Sequence, residues 1–426
     1  MNLRPRKTLK LRKIDAVIVI ILIVIAGLVL TKAGYVILPD DDPDIDDDPI
    51  IEPPPPPPPT PPTSIIPGFM RAVSGLDEGV HFDKIRVCRE WWYYSVIFDE
   101  DSELAGWTAI ISFNHMARGD LLGTLKPDLL VVTLFNPDGE VFGGMINKKR
   151  GMGILSPPTL NAKSPGVSVT FEDSWAEGRA PEWHVHAEDA EIDNDCTLVI
   201  DLRYFAPAEP IKTIGDKSLL EINNLLASYV FTGCNVTGTV ELNGETFNVQ
   251  GKGHHEHSWS PNIVTRGLIN GWDWFHITLE NGWNVYLSNY YPTPQFITSA
   301  TTKTNPISSL LITTDDGKTI TSLEDIEMKI TESDEKIFPF VRMPTEFSIH
   351  AKPGLLQPLL QSYSMSLELD IKNVNTYDKV WKFPTYVGMK TGLNSVKGTI
   401  NWSDDDGDHS LDLNGLATTW SMRALF

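Results

Sequence analysis

Between Thr237 and Gln250 apolar and polar side chains alternate on either side of Asn243-Gly244, and that dipeptide between two alternating runs is the strongest short-range signal for a β-hairpin. The signal recurs. Asn136-Pro137-Asp138-Gly139, Asn281-Gly282, Asp315-Asp316-Gly317 and Asp406-Gly407 punctuate comparable runs, whereas helical periodicity is confined to Lys217–Ser228 and, more weakly, Ser322–Glu327. Many short strands joined by polar turns fold as antiparallel sandwiches or up-and-down barrels. About 360 residues follow Pro67, more than one core holds, so two consecutive β domains are expected, over 68–260 and 261–426. Each is large enough for a closed antiparallel barrel of about eight strands. Glu90-Trp91-Trp92-Tyr93-Tyr94 opens the first half and Gly271-Trp272-Asp273-Trp274-Phe275 the second, which suggests a two-fold plan.

The N-terminus has a different texture. Arg4, Arg6, Lys7, Lys10, Arg12 and Lys13 precede an apolar run from Ala16 to Leu30 that resumes from Ala33 to Leu38, giving roughly 20 residues to cross a hydrocarbon core of about 30 Å. Cations before the run and aspartates after it place residues 1–38 as a cytoplasmic tail and single transmembrane helix, with the rest of the chain extracytoplasmic. A cleaved signal peptide is the competing reading and gives the same location for the bulk of the chain. Residues 39–67 carry Asp40, Asp41, Asp42, Asp44, Asp46, Asp47, Asp48 and Glu52 with no base, then Pro53 to Pro59, Pro61 and Pro62. No core can form there; a polyproline II rod at about 3.1 Å per residue makes this a stalk.

The net charge is −21, and most of it falls on the globular part. This argues against nucleic acid as a partner, because phosphates attract basic surfaces. Cys88, Cys196 and Cys234 allow at most one intrachain disulfide, with three possible pairings. Asn235-Val236-Thr237 and Asn401-Trp402-Ser403 match the N-glycosylation pattern.

The densest polar group is Gly253-His254-His255-Glu256-His257-Ser258-Trp259, directly after the Asn-Gly hairpin. If the segment is extended, His255, His257 and Trp259 share one face and His254, Glu256 and Ser258 the other. Three readings compete: a metal site with Trp183-His184-Val185-His186 as a second His-x-His pair, histidines that only satisfy hydrogen bonds, and a metal-free acid/base site. In the second motif Trp272, Trp274 and His276 share a face opposite Asp273 and Phe275. With Trp259, Trp283, Tyr286, Tyr290 and Tyr291 nearby, this aromatic density describes a wall for an apolar ligand. No G-x-S-x-G, C-x-x-C, P-loop or G-x-G-x-x-G is present, which speaks against a conventional serine hydrolase or nucleotide enzyme.

Taken in order, His81, Arg89-Glu90-Trp91-Trp92-Tyr93-Tyr94, Tyr229, Gly238, the histidine motif and Gly271-Trp272-Asp273-Trp274-Phe275 resemble the AttH-like lipocalin family, which includes the carotenoid hydratases (hydroxyneurosporene synthases). The resemblance is carried by residues 78–295; the C-terminal part matches in β texture alone. It implies two consecutive lipocalin-like barrels, with the histidine motif at their junction and a cleft for an isoprenoid or other hydrophobic ligand. The chemistry it implies spans hydration of a carbon–carbon double bond and pericyclic or isomerising reactions on polyenes; in hydration, the best defined, Glu256 or Asp273 would be the acid and His255 or His257 would handle water. Trp259, Trp272, Trp274 and Tyr286 would line a cation, with Glu90, Trp92 and Tyr94 completing the cleft. Two departures stand out. Glu256 replaces an Asp of the hydratases, and Tyr286-Leu287-Ser288 stands where they carry Tyr-x-Asp.

The expectation is therefore a membrane-tethered, monomeric hydratase-type enzyme acting on an unsaturated lipid, needing no metal or cofactor. A non-catalytic lipid carrier, an isomerase or cyclase, and a hydrolase on a hydrophobic substrate are the alternatives.

Overall fold

In the computed structural model the described residues are 74–84, 88–116, 128–148, 159–188, 196–213, 227–261, 269–292, 309–314, 320–323, 325–337, 341–353, 364–381 and 387–424. The expected transmembrane helix and stalk, most of Lys217–Ser228 and the Asp315-Asp316-Gly317 turn lie outside them. Among the described residues no helix is long and apolar enough to cross a membrane. The one-turn helix α1 (Gly75–Glu78) is closed by a capping box in which Ser74 and Asp77 exchange side-chain-to-backbone bonds.

The strands are β1 (Cys88–Phe98), β2 (Thr108–His115), β3 (Asp128–Phe135), β4 (Val141–Lys148), β5 (Leu160–Ala162), β6 (Val167–Phe171), β7 (Ser174–Arg179), β8 (Glu182–Glu188), β9 (Leu198–Phe205), β10 (Ile211–Lys212), β11 (Ala227–Leu242) and β12 (Glu245–Pro261). After them come β13 (Ile269–Leu279), β14 (Asn284–Pro292), β15 (Ser309–Thr313), β16 (Ile320–Leu323), β17 (Asp325–Ile337), β18 (Val341–Lys352), β19 (Ser364–Trp381), β20 (Val387–Asp404) and β21 (Gly407–Ala424). They form two antiparallel sheets of 12 and 9 strands. The first is ordered β4-β3-β2-β1-β12-β11-β9-β8-β7-β6-β5 with β10 beside β11, and the second β16-β15-β14-β13-β21-β20-β19-β18-β17.

Both orders describe one plan. Each sheet is an up-and-down meander in which the first strand pairs with the second on one side and with the last on the other: β1 lies between β2 and β12, β13 between β14 and β21. Among the described residues the sheets do not close into barrels of about eight strands. The ladders among the described residues run as open paths, ending at β4 and β5 and at β16 and β17, so the sheets are curled half-barrels of lipocalin-like type.

Local chemistry explains the meander. Asn243 and Gly244 both take positive φ, 54° and 83°, the turn that matches the twist of a tight hairpin. Asn136-Pro137-Asp138-Gly139 and Asn281-Gly282 likewise turn β3 into β4 and β13 into β14. The weak helical pattern at Ser322–Glu327 is overridden: Ile320–Leu323 pairs with β15 and Asp325 onward with β18, because ladder bonds outweigh so short a periodicity.

Three apolar layers result. One core fills the first half-barrel around Trp92, Phe113, Trp183 and Phe231, and a second fills the other around Phe275, Phe347 and Trp402. A third lies between the sheets, where Tyr93, Leu129 and Val131 meet Trp272, Trp274, Met389 and Trp420. Strands β2 and β3 are buried along their whole length, covered on both faces, which is why Asp128–Phe135 reads as a nearly continuous apolar run.

Candidate functional site

The β11–β12 hairpin sets the site, because its register carries the histidine motif beside β1. Trp92 sits opposite His257, Tyr93 opposite Glu256 and Tyr94 opposite His255. Strand alternation therefore sorts the motif onto two faces, as its spacing predicts.

On the inner face of the first half-barrel, Glu90 is fully buried and gathers four donors. His81 and Phe82 give backbone N–H bonds, His81 Nδ1 donates to Oε1 at 2.9 Å, and His257 Nε2 donates to the same oxygen at 2.9 Å. Tyr229 hydroxyl donates to His257 Nδ1 at 3.2 Å. Trp92 stacks on His257 with centroids 4.7 Å apart, and Trp259 stacks on His81 at 3.7 Å, nearly parallel. Burial alone would raise the Glu90 carboxyl, but the bonds and charge of His257 and His81 hold it below the usual carboxylate range. His257 is lowered by burial, which its bond to Glu90 only partly offsets.

Deeper on this face, His255 donates Nδ1–H to the Tyr93 carbonyl and stacks on Tyr94 at 4.3 Å. Burial lowers it to about 3, so it is neutral and Nε2 is a bare acceptor. Glu78 of α1 is also fully buried here, accepting from Ala180 N–H and Trp183 Nε1. Burial raises its carboxyl.

Between the sheets the arrangement is separate. Glu256, fully buried, accepts from His276 Nε2 at 3.0 Å through Oε2. Its Oε1 is 3.1 Å from Ser258 Oγ, 3.5 Å from Ser228 Oγ and 3.4 Å from Trp91 Nε1. Tyr93 stacks on His276, and Tyr286 lies 5.3 Å from that ring, its hydroxyl pushed well up by burial. Trp91 is 5.1 Å from Trp274 and 6.4 Å from Trp272. These three rings, with Trp420, Met116 and Met389, line a cavity of about 30 Å³. A larger cavity of about 880 Å³ opens along β7 to β9 beside Glu177, Glu182, His184 and Arg203; none of the residues selected for the reaction lines it.

Asp273 faces neither place. It shares its side of β13 with Phe275, in the second half-barrel, where it accepts from Tyr291 hydroxyl at 2.5 Å and Arg423 Nη2 at 2.6 Å. Burial works against the Arg423 charge, but Asp273 beside it raises the guanidinium overall.

The eleven residues selected from the sequence are thus divided. Glu90, Trp92, Tyr94, His255, His257 and Trp259 come together on the inner face; Glu256, Trp272, Trp274 and Tyr286 lie between the sheets; Asp273 stands apart. Trp91, Trp420, His276, Tyr229, His81 and Glu78 complete the networks and were not selected. His276 stands in a quoted motif on the face of Trp272 and Trp274, and Trp91, His81 and Tyr229 are among the residues quoted for the family resemblance, whereas nothing in the sequence marks Glu78. Cys88, Cys196 and Cys234 are free thiols.

Among the described residues, one group offers ligand atoms to a metal at close range: His81, Glu90 and His257, whose nearest nitrogen and oxygen atoms all lie within 4.8 Å of one another.

A family model described as AttH-like matches residues 156–374, just over half the chain. No curated protein sequence matches it. Among solved structures, kievitone hydratase from Nectria haematococca superposes with a TM-score of 0.53 at 10% identity, over 85% of this chain and 95% of that one. CghA with Sch210972 gives 0.51 at 12% identity over 85% and 94%. A Nitrosomonas europaea protein assigned as AttH gives 0.50 at 14% identity over 85% and 99%. At these identities the likeness is one of fold.

Proposed function

The chain belongs to the AttH-like family, and from that premise we propose that it is a hydratase-type enzyme adding water to a carbon–carbon double bond of an isoprenoid or other unsaturated lipid. One observation carries the reading. A fully buried carboxyl, Glu256, is bonded to an imidazole, His276, and touches Trp91, which itself lines an aromatic cavity between the sheets. A kievitone hydratase among the fold neighbours supports the same reaction class.

In this mechanism Glu256 is the general acid that transfers a proton to the less substituted alkene carbon. The faces of Trp91, Trp272, Trp274 and Trp420 stabilise the tertiary cation. Water then adds its oxygen to the cation and returns its proton to the Glu256–His276 couple, so acid and base are restored and the alcohol carries the elements of water. The cavity admits only a water-sized group, so the tryptophans have to part to admit substrate. The departure at Ser288 fits: with no carboxylate at that position, the acid's part falls to Glu256, which is fully buried between the sheets. The apolar N-terminal run and the acidic, proline-rich stretch support placing the reaction outside the cytoplasm, beside a membrane that supplies the lipid.

Incubating the purified chain with unsaturated isoprenoid lipid and weighing the products tests this directly. The expected product is 18 Da heavier, the mass of one water, and is absent with Glu256→Gln. A ligand recovered unchanged from both proteins would replace the hydratase with a carrier.

A further inference from the structure

We infer that His81, Glu90 and His257 form a site for a divalent transition-metal ion of zinc's class, which would fasten the segment before β1 to β1 and β12. Two imidazole nitrogens and one carboxylate oxygen make a donor set that suits zinc, leaving a fourth position for water. Both imidazole nitrogens lie 2.9 Å from the same Glu90 oxygen and all three atoms within 4.8 Å of one another; bonds of about 2.0–2.1 Å to one tetrahedral ion put ligand atoms roughly 3.3 Å apart, so the carboxylate has to ease back and the two nitrogens draw in.

What favours metal over three side chains that merely meet is how each is held. His81 is fixed by its parallel stack on Trp259, and His257 by its stack on Trp92. Backbone N–H groups of His81 and Phe82 orient the Glu90 carboxylate. Tyr229 meets the far nitrogen of His257, where metal-bound imidazoles ordinarily find an outer partner. A hydroxyl can accept as well as donate, so Tyr229 serves both states. Without metal it donates to Nδ1 while Nε2–H bonds Glu90. With metal on Nε2 the proton moves to Nδ1 and Tyr229 accepts it. His81, 12% exposed, makes the matching shift with water at its far nitrogen, so binding needs tautomer exchange and no net proton loss.

The other histidine pair shows what is missing elsewhere. His184 and His186 bond opposite oxygens of Asp201 at 2.7 and 3.0 Å. Their nitrogens are held apart by the carboxylate rather than directed at a common point.

The test uses the full chain stripped with a chelator, then loaded with Zn²⁺ or Co²⁺ and freed of excess ion by gel filtration. One equivalent is expected to remain, with a raised melting temperature and the visible absorption of tetrahedral Co²⁺. His81→Ala and His257→Ala should lose it, Tyr229→Phe should bind about tenfold more weakly, and the His184→Ala/His186→Ala double variant should keep it. Wild type retaining well below one equivalent overturns the inference whether or not any variant folds. So does retention by both His81→Ala and His257→Ala, or loss confined to the His184/His186 double variant.

Discussion

Glu256 and His257 are neighbours in the chain and point into different compartments: Glu256 bonds His276 between the sheets, and His257 bonds Glu90 inside the first half-barrel. A single strand thereby serves two networks. Substitutions at adjacent positions should then have different consequences. Glu256→Gln is expected to lower hydration by about 10²–10⁴-fold, the usual share of a general acid, with little change in melting temperature. His257→Ala is expected to destabilise first, since it strips a buried carboxylate of a donor. Assaying both at a temperature where each is folded separates them, and equal losses of turnover would refute the division.

Asp273 and Arg423 form a buried ion pair with Tyr291 as third member. Removing one partner of such a pair costs about 3–5 kcal/mol, because the other charge is left uncompensated. Arg423→Met should therefore be strongly destabilising in urea titration, while Asp273→Asn/Arg423→Met recovers much of the loss. An Arg423→Met protein within about 1 kcal/mol of wild type would contradict this, since surface-like pairs are worth no more than that.

Two histidines are buried uncharged. Desolvation holds His255 near 3 and His254 well below the ordinary range, the latter also repelled by His276. Between those values and the unfolded value of about 6.5 the unfolded chain binds more protons, so stability is full above that range and is lost as pH falls. Each group contributes up to about 1.4 kcal/mol per pH unit below 6. Denaturation midpoints at pH 7.5 and 5 should differ in this sense, and His255→Gln should flatten the slope.

Glu78 has the opposite sign. Its carboxyl is raised by burial, so the folded chain binds the extra proton above the unfolded value and stability falls as pH rises through the folded value. Glu78→Gln keeps an acceptor for Trp183 and Ala180 and removes the ionisation. The variant should gain on wild type at pH 8, with the advantage shrinking toward pH 4; an advantage independent of pH would assign the effect to packing.

The hairpin chemistry and the alternation of the histidine motif were legible because both are local: Asn243-Gly244 requires its turn, and a period of two sorts His255 from Glu256 in any register. The number of strands was less so. The short strands β5 and β10 carry almost no periodic signal, and the open step between β4 and β5 depends on closure of the whole sheet rather than on any strand. The grouping of site residues was misread for a related reason. Trp272, Asp273 and Trp274 sit within three positions, but which face of β13 meets the other sheet is decided by packing against Trp91 and Trp420. Glu78 left no trace because a lone acid before the first strand looks like solvent-facing helix.

Strand β19 crosses to the other sheet at its far end. Asn375 donates to the carbonyls of Asn136, at 3.3 Å, and Glu140, Lys379 donates to that of Met145, and the Tyr377 ring closes over Gly144. Asn136 adjoins the end of β3 opposite Leu129, which borders the tryptophan cavity. At about 3.3 Å per residue the two points are some 20 Å apart. The contacts span that distance, since Met145 pairs with Val131, two residues from Leu129, and Lys379 pairs with Met389, which lines the cavity. A guest that parts the tryptophans therefore does so beside strands already tied together, and the room it gains has to come from turning the rings rather than from spreading the backbone.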